Sequence, residues 1–176
     1  MIKVVLTGSE STGKTQLARE LGARFDAPVA EEFVRGYAAA KKEPLGFADH
    51  GPIAHDQIAS EDAAIARATD LVILDTDLVS TVVYCEHYFG RCPEWIIDAA
   101  RARAGDLYLL LAPDVPWIPD GVRDRGDRRE EMHALFEEKL VELAVRYVEI
   151  RGDWPARVDR AAHAVSSTAK LRNPPM

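Results

Sequence analysis

Asparagine is almost missing from these 176 residues: the single copy is Asn173, near the end of the chain. That scarcity excludes the Asn-Lys-x-Asp run with which GTPases usually read guanine. Cysteine is nearly as scarce. Cys85 and Cys92 stand seven apart, too few for a disulfide framework, and with His87 they offer too few ligands for zinc. Two reduced thiols in a cytoplasmic protein are the expectation. His50, His55, His87, His133 and His163 show no paired spacing, so no metal is assigned to them.

No apolar run approaches the ~20 residues that span a bilayer. The opening Met-Ile-Lys leads straight into Val4-Val5-Leu6, without the charged and apolar regions of a signal peptide. Neither a membrane nor a secretory role is expected. Positive charge is also in deficit: 22 Lys and Arg against 29 Asp and Glu give a net charge of -7. Long nucleic acids are poor partners for such a balance, although a local basic groove remains compatible with it. Repeats, low-complexity tracts and a Ser-Gly-Gly-Gln signature are absent. The length suits one domain over 1–176 and is short for an AAA ATPase module with a second helical domain.

What is present alternates. Short apolar runs at 2–7, 28–30, 71–74, 107–112 and 146–150 read as strands, separated by helical stretches. That order predicts a parallel sheet with helices on both faces. Leu17, Leu21 and Phe25 recur at helical spacing after the first strand, and Met132, Leu135, Phe136, Leu140 and Leu143 do so later. Helices are also expected over about 33–40, 53–68 and 79–89, from Pro93, and after Trp154-Pro155. Asp127 with Glu130 resembles a capping box opening the 130s helix. Residues 41–51, bounded by Pro44, Gly46, Gly51 and Pro52, read as a mobile loop.

Gly8-Ser9-Glu10-Ser11-Thr12-Gly13-Lys14-Thr15 is a complete G-x4-G-K-T pattern between a predicted strand and a predicted helix. Its glycines permit a loop whose backbone N–H groups cradle phosphate oxygens, and the helix N-terminus adds partial positive charge. Residues 8–15 with Gln16 are therefore candidates to bind ATP. Lys14 would reach the β and γ phosphates, and the Thr15 hydroxyl would ligate Mg2+. Once the GTPase, AAA and transport-ATPase patterns are excluded, the nucleoside and nucleotide kinase type remains.

Acidic residues stand where predicted strands end, the ligand-binding edge of open α/β sheets. Asp75 is the candidate to hold magnesium through water. Asp77 either meets the acceptor and takes its proton or caps the helix from Leu78. Glu31 and Glu32 close the second strand, where a carboxylate can accept a proton from an attacking hydroxyl. Arg35 and Tyr37 suit acceptor recognition, by ion pairing and stacking, or are surface residues. Residues 120–129 carry Arg123, Arg125, Arg128 and Arg129 between glycines. Such a lid can close over phosphates and supply positive charge, with Arg123 and Arg125 the candidate contacts by position. Arg128 and Arg129 fall in a first helical turn and suit a structural task. Trp117 and Trp154 are each either a ring-stacking wall, Trp154 for adenine, or a packing residue.

These pieces together resemble the ribosylnicotinamide kinase domain of the NadR/AAA_28-like P-loop kinases. The matching runs are the 8–15 loop, Glu31-Glu32-Phe33-Val34-Arg35-Gly36-Tyr37, Asp56-Gln57, Leu74-Asp75-Thr76-Asp77-Leu78-Val79-Ser80-Thr81 and Pro116-Trp117-Ile118-Pro119-Asp120-Gly121-Val122-Arg123. The resemblance implies a P-loop NTPase fold, doubly wound, with five parallel strands in the order 2-3-1-4-5 and an arginine-rich lid. It also implies ATP-dependent phosphorylation of the 5'-hydroxyl of nicotinamide riboside, giving nicotinamide mononucleotide. Another nucleoside, a polynucleotide 5'-hydroxyl, or slow ATP hydrolysis by a regulatory module are the alternatives.

Overall fold

A computed structural model describes residues 1–41, 43–116 and 128–172. Five strands form one all-parallel sheet: β1 (Ile2–Thr7), β2 (Val29–Ala30), β3 (Leu71–Asp75), β4 (Leu107–Leu111) and β5 (Tyr147–Ile150). Their order is β2-β3-β1-β4-β5, the order the family resemblance implies. Strand β1 lies at the centre, with Leu6 level with Asp75 of β3 and with Leu109 of β4.

The strands are apolar on both faces because helices cover both. Val4, Leu6, Leu107, Leu109 and Leu111 point to one side, where they pack with α1 (Lys14–Phe25) and α7 (Trp154–Arg172). Val5, Val72, Leu74, Tyr108 and Leu110 point to the other. There they meet α3 (His50–Arg67), α4 (Leu78–Phe89), α5 (Glu94–Ala102) and α6 (Arg129–Glu142). The alternation along β1 follows from the two-residue period of a strand. Helix α2 (Val34–Lys41) follows β2. Among the described residues no helix is long and apolar enough to cross a membrane.

The stretch 41–51, expected as a mobile loop, is more ordered than its glycines and prolines suggest. Residues Phe47–Asp49 form a 3-10 turn and α3 already starts at His50. Asp49 organises it, accepting hydrogen bonds from Gly46 N at 2.7 Å and from the Tyr37 hydroxyl at 3.0 Å, and pairing with Lys41. The Lys41 ammonium foremost, with the Gly46 amide, holds the Asp49 carboxyl down at about 2. Pro52 fits in the first turn of α3, where no N–H is needed. The residue before α6 is Arg128, which makes no side-chain cap. Asp127, expected to open a capping box, lies outside the described residues.

Candidate functional site

Strand β1 ends at Thr7 and α1 starts at Lys14, so residues 8–13 turn the chain from the sheet edge into a helix N-terminus. Gly8 has φ +123°, Ser11 φ +53° and Gly13 φ +90°. Both glycines are required. A β-carbon on Gly8 would stand 2.8 Å from Leu111 O, and one on Gly13 would stand 3.0 Å from the Trp154 ring. Left-handed residues spaced along so short a turn curl it into an anion-binding concavity. Lys14 folds back over this curl, donating to Gly8 O at 3.0 Å and Ser9 O at 2.6 Å. The Thr12 hydroxyl donates to Ser9 O at 2.9 Å. The hydroxyls of Thr7 and Ser9 are buried with no hydrogen-bond partner among the described residues. Glu10 is buried in the curl, Thr15 is half-buried and Gln16 is exposed.

Strand register brings the carboxylates to the same edge. Ala30 of β2 lies level with Leu74 of β3, and Leu6 of β1 with Asp75. Glu31 and Asp75 therefore leave the sheet side by side, and Thr7 lies one residue beyond Leu6 at the same edge. Asp75 is 1% exposed. Glu32 is half-buried, whereas Glu31 is exposed and pairs with Arg19 at 2.9 Å. Gln57 of α3 ties this edge together: it accepts from Phe33 N at 3.3 Å and donates to Thr76 O at 3.3 Å and Glu61 Oε1 at 3.4 Å. The Tyr37 hydroxyl donates to Asp49, and its ring lies 6.3 Å from that of Phe33. Arg35 lies on α2.

Asp77 has a task inside the fold. It is the N-cap of α4, and its Oδ1 accepts from Val79 N at 3.0 Å. Its Oδ2 accepts from the Tyr108 hydroxyl at 2.6 Å, and that hydroxyl accepts from Gly105 N at 3.1 Å. With both oxygens engaged and 5% exposure, the carboxylate serves as the cap that the sequence left open. Burial pushes Asp77 up to about 6, against the hydrogen bonds it accepts. Glu61 is pushed up to about 7, by burial first and by Asp77 next, although Arg103 donates to it.

Trp154 packs on Gly13 and donates from Nε1 to Glu20 at 3.1 Å; its ring is half-buried at the flank of the loop. Trp117, Arg123 and Arg125 lie outside the described residues. Two arginines are built into the loop's back: Arg157, which composition alone does not single out, and Arg129, expected in a first helical turn with a structural task. Arg157 of α7 donates to Thr12 O at 3.0 Å, Ala112 O at 2.9 Å and Gly152 O at 2.8 Å, and pairs with Asp114. Asp114 also accepts from Gly152 N at 2.7 Å. Burial opposes its ionisation, yet the Gly152 amide and the Arg157 charge together hold its carboxyl below the usual range. Arg129 of α6 donates to Val115 O at 2.9 Å and to Ser11 O at 3.4 Å. A signal for both was present. Arg157 shares its helix stripe with buried Ala161, Ala164, Val165 and Thr168, and Arg129 shares one with buried Met132, Phe136 and Leu140. A charge on an apolar stripe is a buried charge that must be matched.

The 2-3-1-4-5 parallel sheet and the glycine turn between β1 and α1 define a P-loop NTPase fold. The chain belongs to the AAA_28 family, described as an AAA domain, whose profile matches residues 3–157. It is 30% identical over 169 residues to the trifunctional NAD biosynthesis/regulator protein NadR of Escherichia coli K12, a match covering 92% of this chain and 41% of that protein. The chain thus spans about two-fifths of the length of the curated relatives it matches. Among solved structures, a NadR protein in complex with NR superposes with a TM-score of 0.80 at 28% identity, over 96% of this chain and 51% of that one. A deoxyadenosine kinase from M. mycoides shares the fold, with a TM-score of 0.69 at 11% identity over 94% of this chain and 100% of that one.

Proposed function

We propose that this chain transfers the γ-phosphoryl group of ATP to the 5'-hydroxyl of nicotinamide riboside, giving nicotinamide mononucleotide and ADP. One observation carries the reading: the strand register sets the carboxylate segment 31–32, Asp75 and the glycine turn side by side at the carboxyl edge of one sheet. Phosphoryl transfer needs a donor held in line with an acceptor and charge to stabilise the transferring group, and little else. The likeness to a NadR protein holding NR supports the acceptor.

In this reading residues 8–15 hold the triphosphate, and Lys14 leaves the loop carbonyls to contact the β and γ phosphates. Arg123 and Arg125 add positive charge from the segment before α6. Glu32 accepts the proton of the 5'-hydroxyl as that oxygen bonds to the γ-phosphorus and the bond to the β–γ bridging oxygen breaks. Glu31, Arg35, Trp117 and the ring of Tyr37 recognise the acceptor, and the outer face of Trp154 flanks the adenine. Asp77 supports this edge from behind through the α4 cap. Thr15 and Asp75 fit magnesium, since an oxygen-only donor set with a buried carboxylate suits that hard cation. Bound there, the ion would neutralise phosphate charge.

The test is an acceptor panel with γ-labelled ATP: nicotinamide riboside, adenosine, thymidine, a 5'-hydroxyl oligonucleotide, and no acceptor. Label on nicotinamide riboside is the expected result. Label on the oligonucleotide or on another nucleoside replaces the acceptor, and ADP release without a phosphorylated product replaces kinase activity by hydrolysis.

A further inference from the structure

Two carbonyl groups of the glycine turn, those of Ser11 and Thr12, are held by arginines from helices α6 and α7. Arg157 is 0% exposed and Arg129 7% exposed. Burying a guanidinium is costly unless its donors are matched, and the fold bears that cost twice beside the same six-residue turn. Their contacts fall on consecutive peptide units: Arg129 on Ser11 O and Arg157 on Thr12 O. In a trans peptide the C=O and the following N–H point in opposite directions. Carbonyls drawn outward to the arginines therefore turn the amides of Thr12 and Gly13 inward, to the concave side. A cation on a carbonyl also polarises its peptide, which makes the opposite N–H a stronger donor.

The same two arginines span the elements around the turn. Arg157 joins it to the residue after β4 and to the approach to α7, through Ala112 O and Gly152 O. Arg129 joins it to Val115 and to the first turn of α6. Its Nε is buried with no hydrogen-bond partner among the described residues.

We propose that Arg157 and Arg129 are positioning residues that aim the amides of Thr12 and Gly13 at the triphosphate of ATP. The proposal rests on the reading of residues 8–15 as the ATP site. It assigns the arginines no contact with nucleotide or acceptor: they act through the loop backbone.

The experiment titrates Mg-ATP and, separately, inorganic tripolyphosphate into the wild-type chain and into Arg157→Lys, Arg157→Gln and Arg129→Lys by calorimetry. Thermal unfolding without nucleotide accompanies each titration. Lysine keeps the charge but lacks the planar fork with which one guanidinium spans carbonyls on separate elements. The expected result is a Kd raised about tenfold or more for both ligands in folded variants, at unchanged stoichiometry and unchanged acceptor KM. A merely structural role would lower the unfolding temperature and the bound stoichiometry while leaving Kd unaltered, and that outcome overturns the proposal. Because the arginines stand on different helices, failure of one variant to fold leaves the other to decide. Wild-type chain that binds neither ligand defeats the ATP-site reading itself, whereas wild-type and folded variants that bind equally defeat only the positioning role.

Discussion

Replacing Asp77 by asparagine changes how the stability of the fold depends on pH. The buried carboxyl is raised from 3.8 to about 6, so the folded state holds its proton more tightly than the unfolded chain does. Its contribution is fully present below pH 3.8 and is lost as pH rises through about 6. At about 1.36 kcal/mol for each tenfold difference in proton affinity, this rise removes about 2 kcal/mol from the wild-type chain between about pH 4 and pH 8. Asparagine keeps a polar group between Val79 N and the Tyr108 hydroxyl but does not titrate. Removing the charge also relaxes Glu61, which Asp77 helps raise to about 7, and this acts in the same direction. Urea unfolding at about pH 4, 6 and 8, followed by tryptophan fluorescence, should therefore show the variant gaining on the wild type by about 2 kcal/mol across the range. A pH-independent offset from altered hydrogen bonds is expected beneath that gain. Parallel stability curves would refute the buried, capping carboxylate. Parallel curves together with a loss of kcat of about 10²–10⁴ would move Asp77 to the acceptor as the general base.

Three further outcomes follow from the same geometry. Lys14→Ala should lower kcat/KM at least about a hundredfold, the scale of one lost transition-state contact, with little change in the thermal unfolding of the nucleotide-free chain. Glu32→Gln should lower kcat by about 10²–10⁴ while the Kd for ATP stays unchanged, as read by steady-state kinetics beside calorimetry; undiminished turnover would remove Glu32 as the proton acceptor. Tyr108→Phe strips the donor from Asp77 Oδ2 and the acceptor from Gly105 N, so its unfolding free energy in urea should drop by about 1–3 kcal/mol.

The sheet was readable from the sequence because each strand is a short apolar run closed by a polar or breaking residue. The strand order rested on family likeness, and the register agrees with it. The glycine turn was readable because Gly8 and Gly13 occupy positions that a side chain cannot. The turn at 47–49 was hidden because its order comes from one tertiary centre, Asp49 with Tyr37, Lys41 and Gly46, and local composition argued for a loop. The direction of a carboxylate at a strand end was equally hidden. Asp75 and Asp77 look alike in sequence, and only the structure shows that Asp77 caps α4 and accepts from Tyr108. Arg129, expected to serve structure from a first helical turn, lies on a buried stripe with Met132 and Phe136, but its reach to the glycine turn was hidden. Tyr108 gave no signal, since a tyrosine in an apolar strand reads as core.

Backbone amide resonances of residues 8–15 in a ¹⁵N-labelled sample, followed while Mg-ATP is added, test most directly whether this turn grips a triphosphate. Saturable downfield shifts of the Gly13, Lys14 and Thr15 amides, weakened in Lys14→Ala, are the predicted result. Nucleotide that binds while those amides stay in place would contradict it.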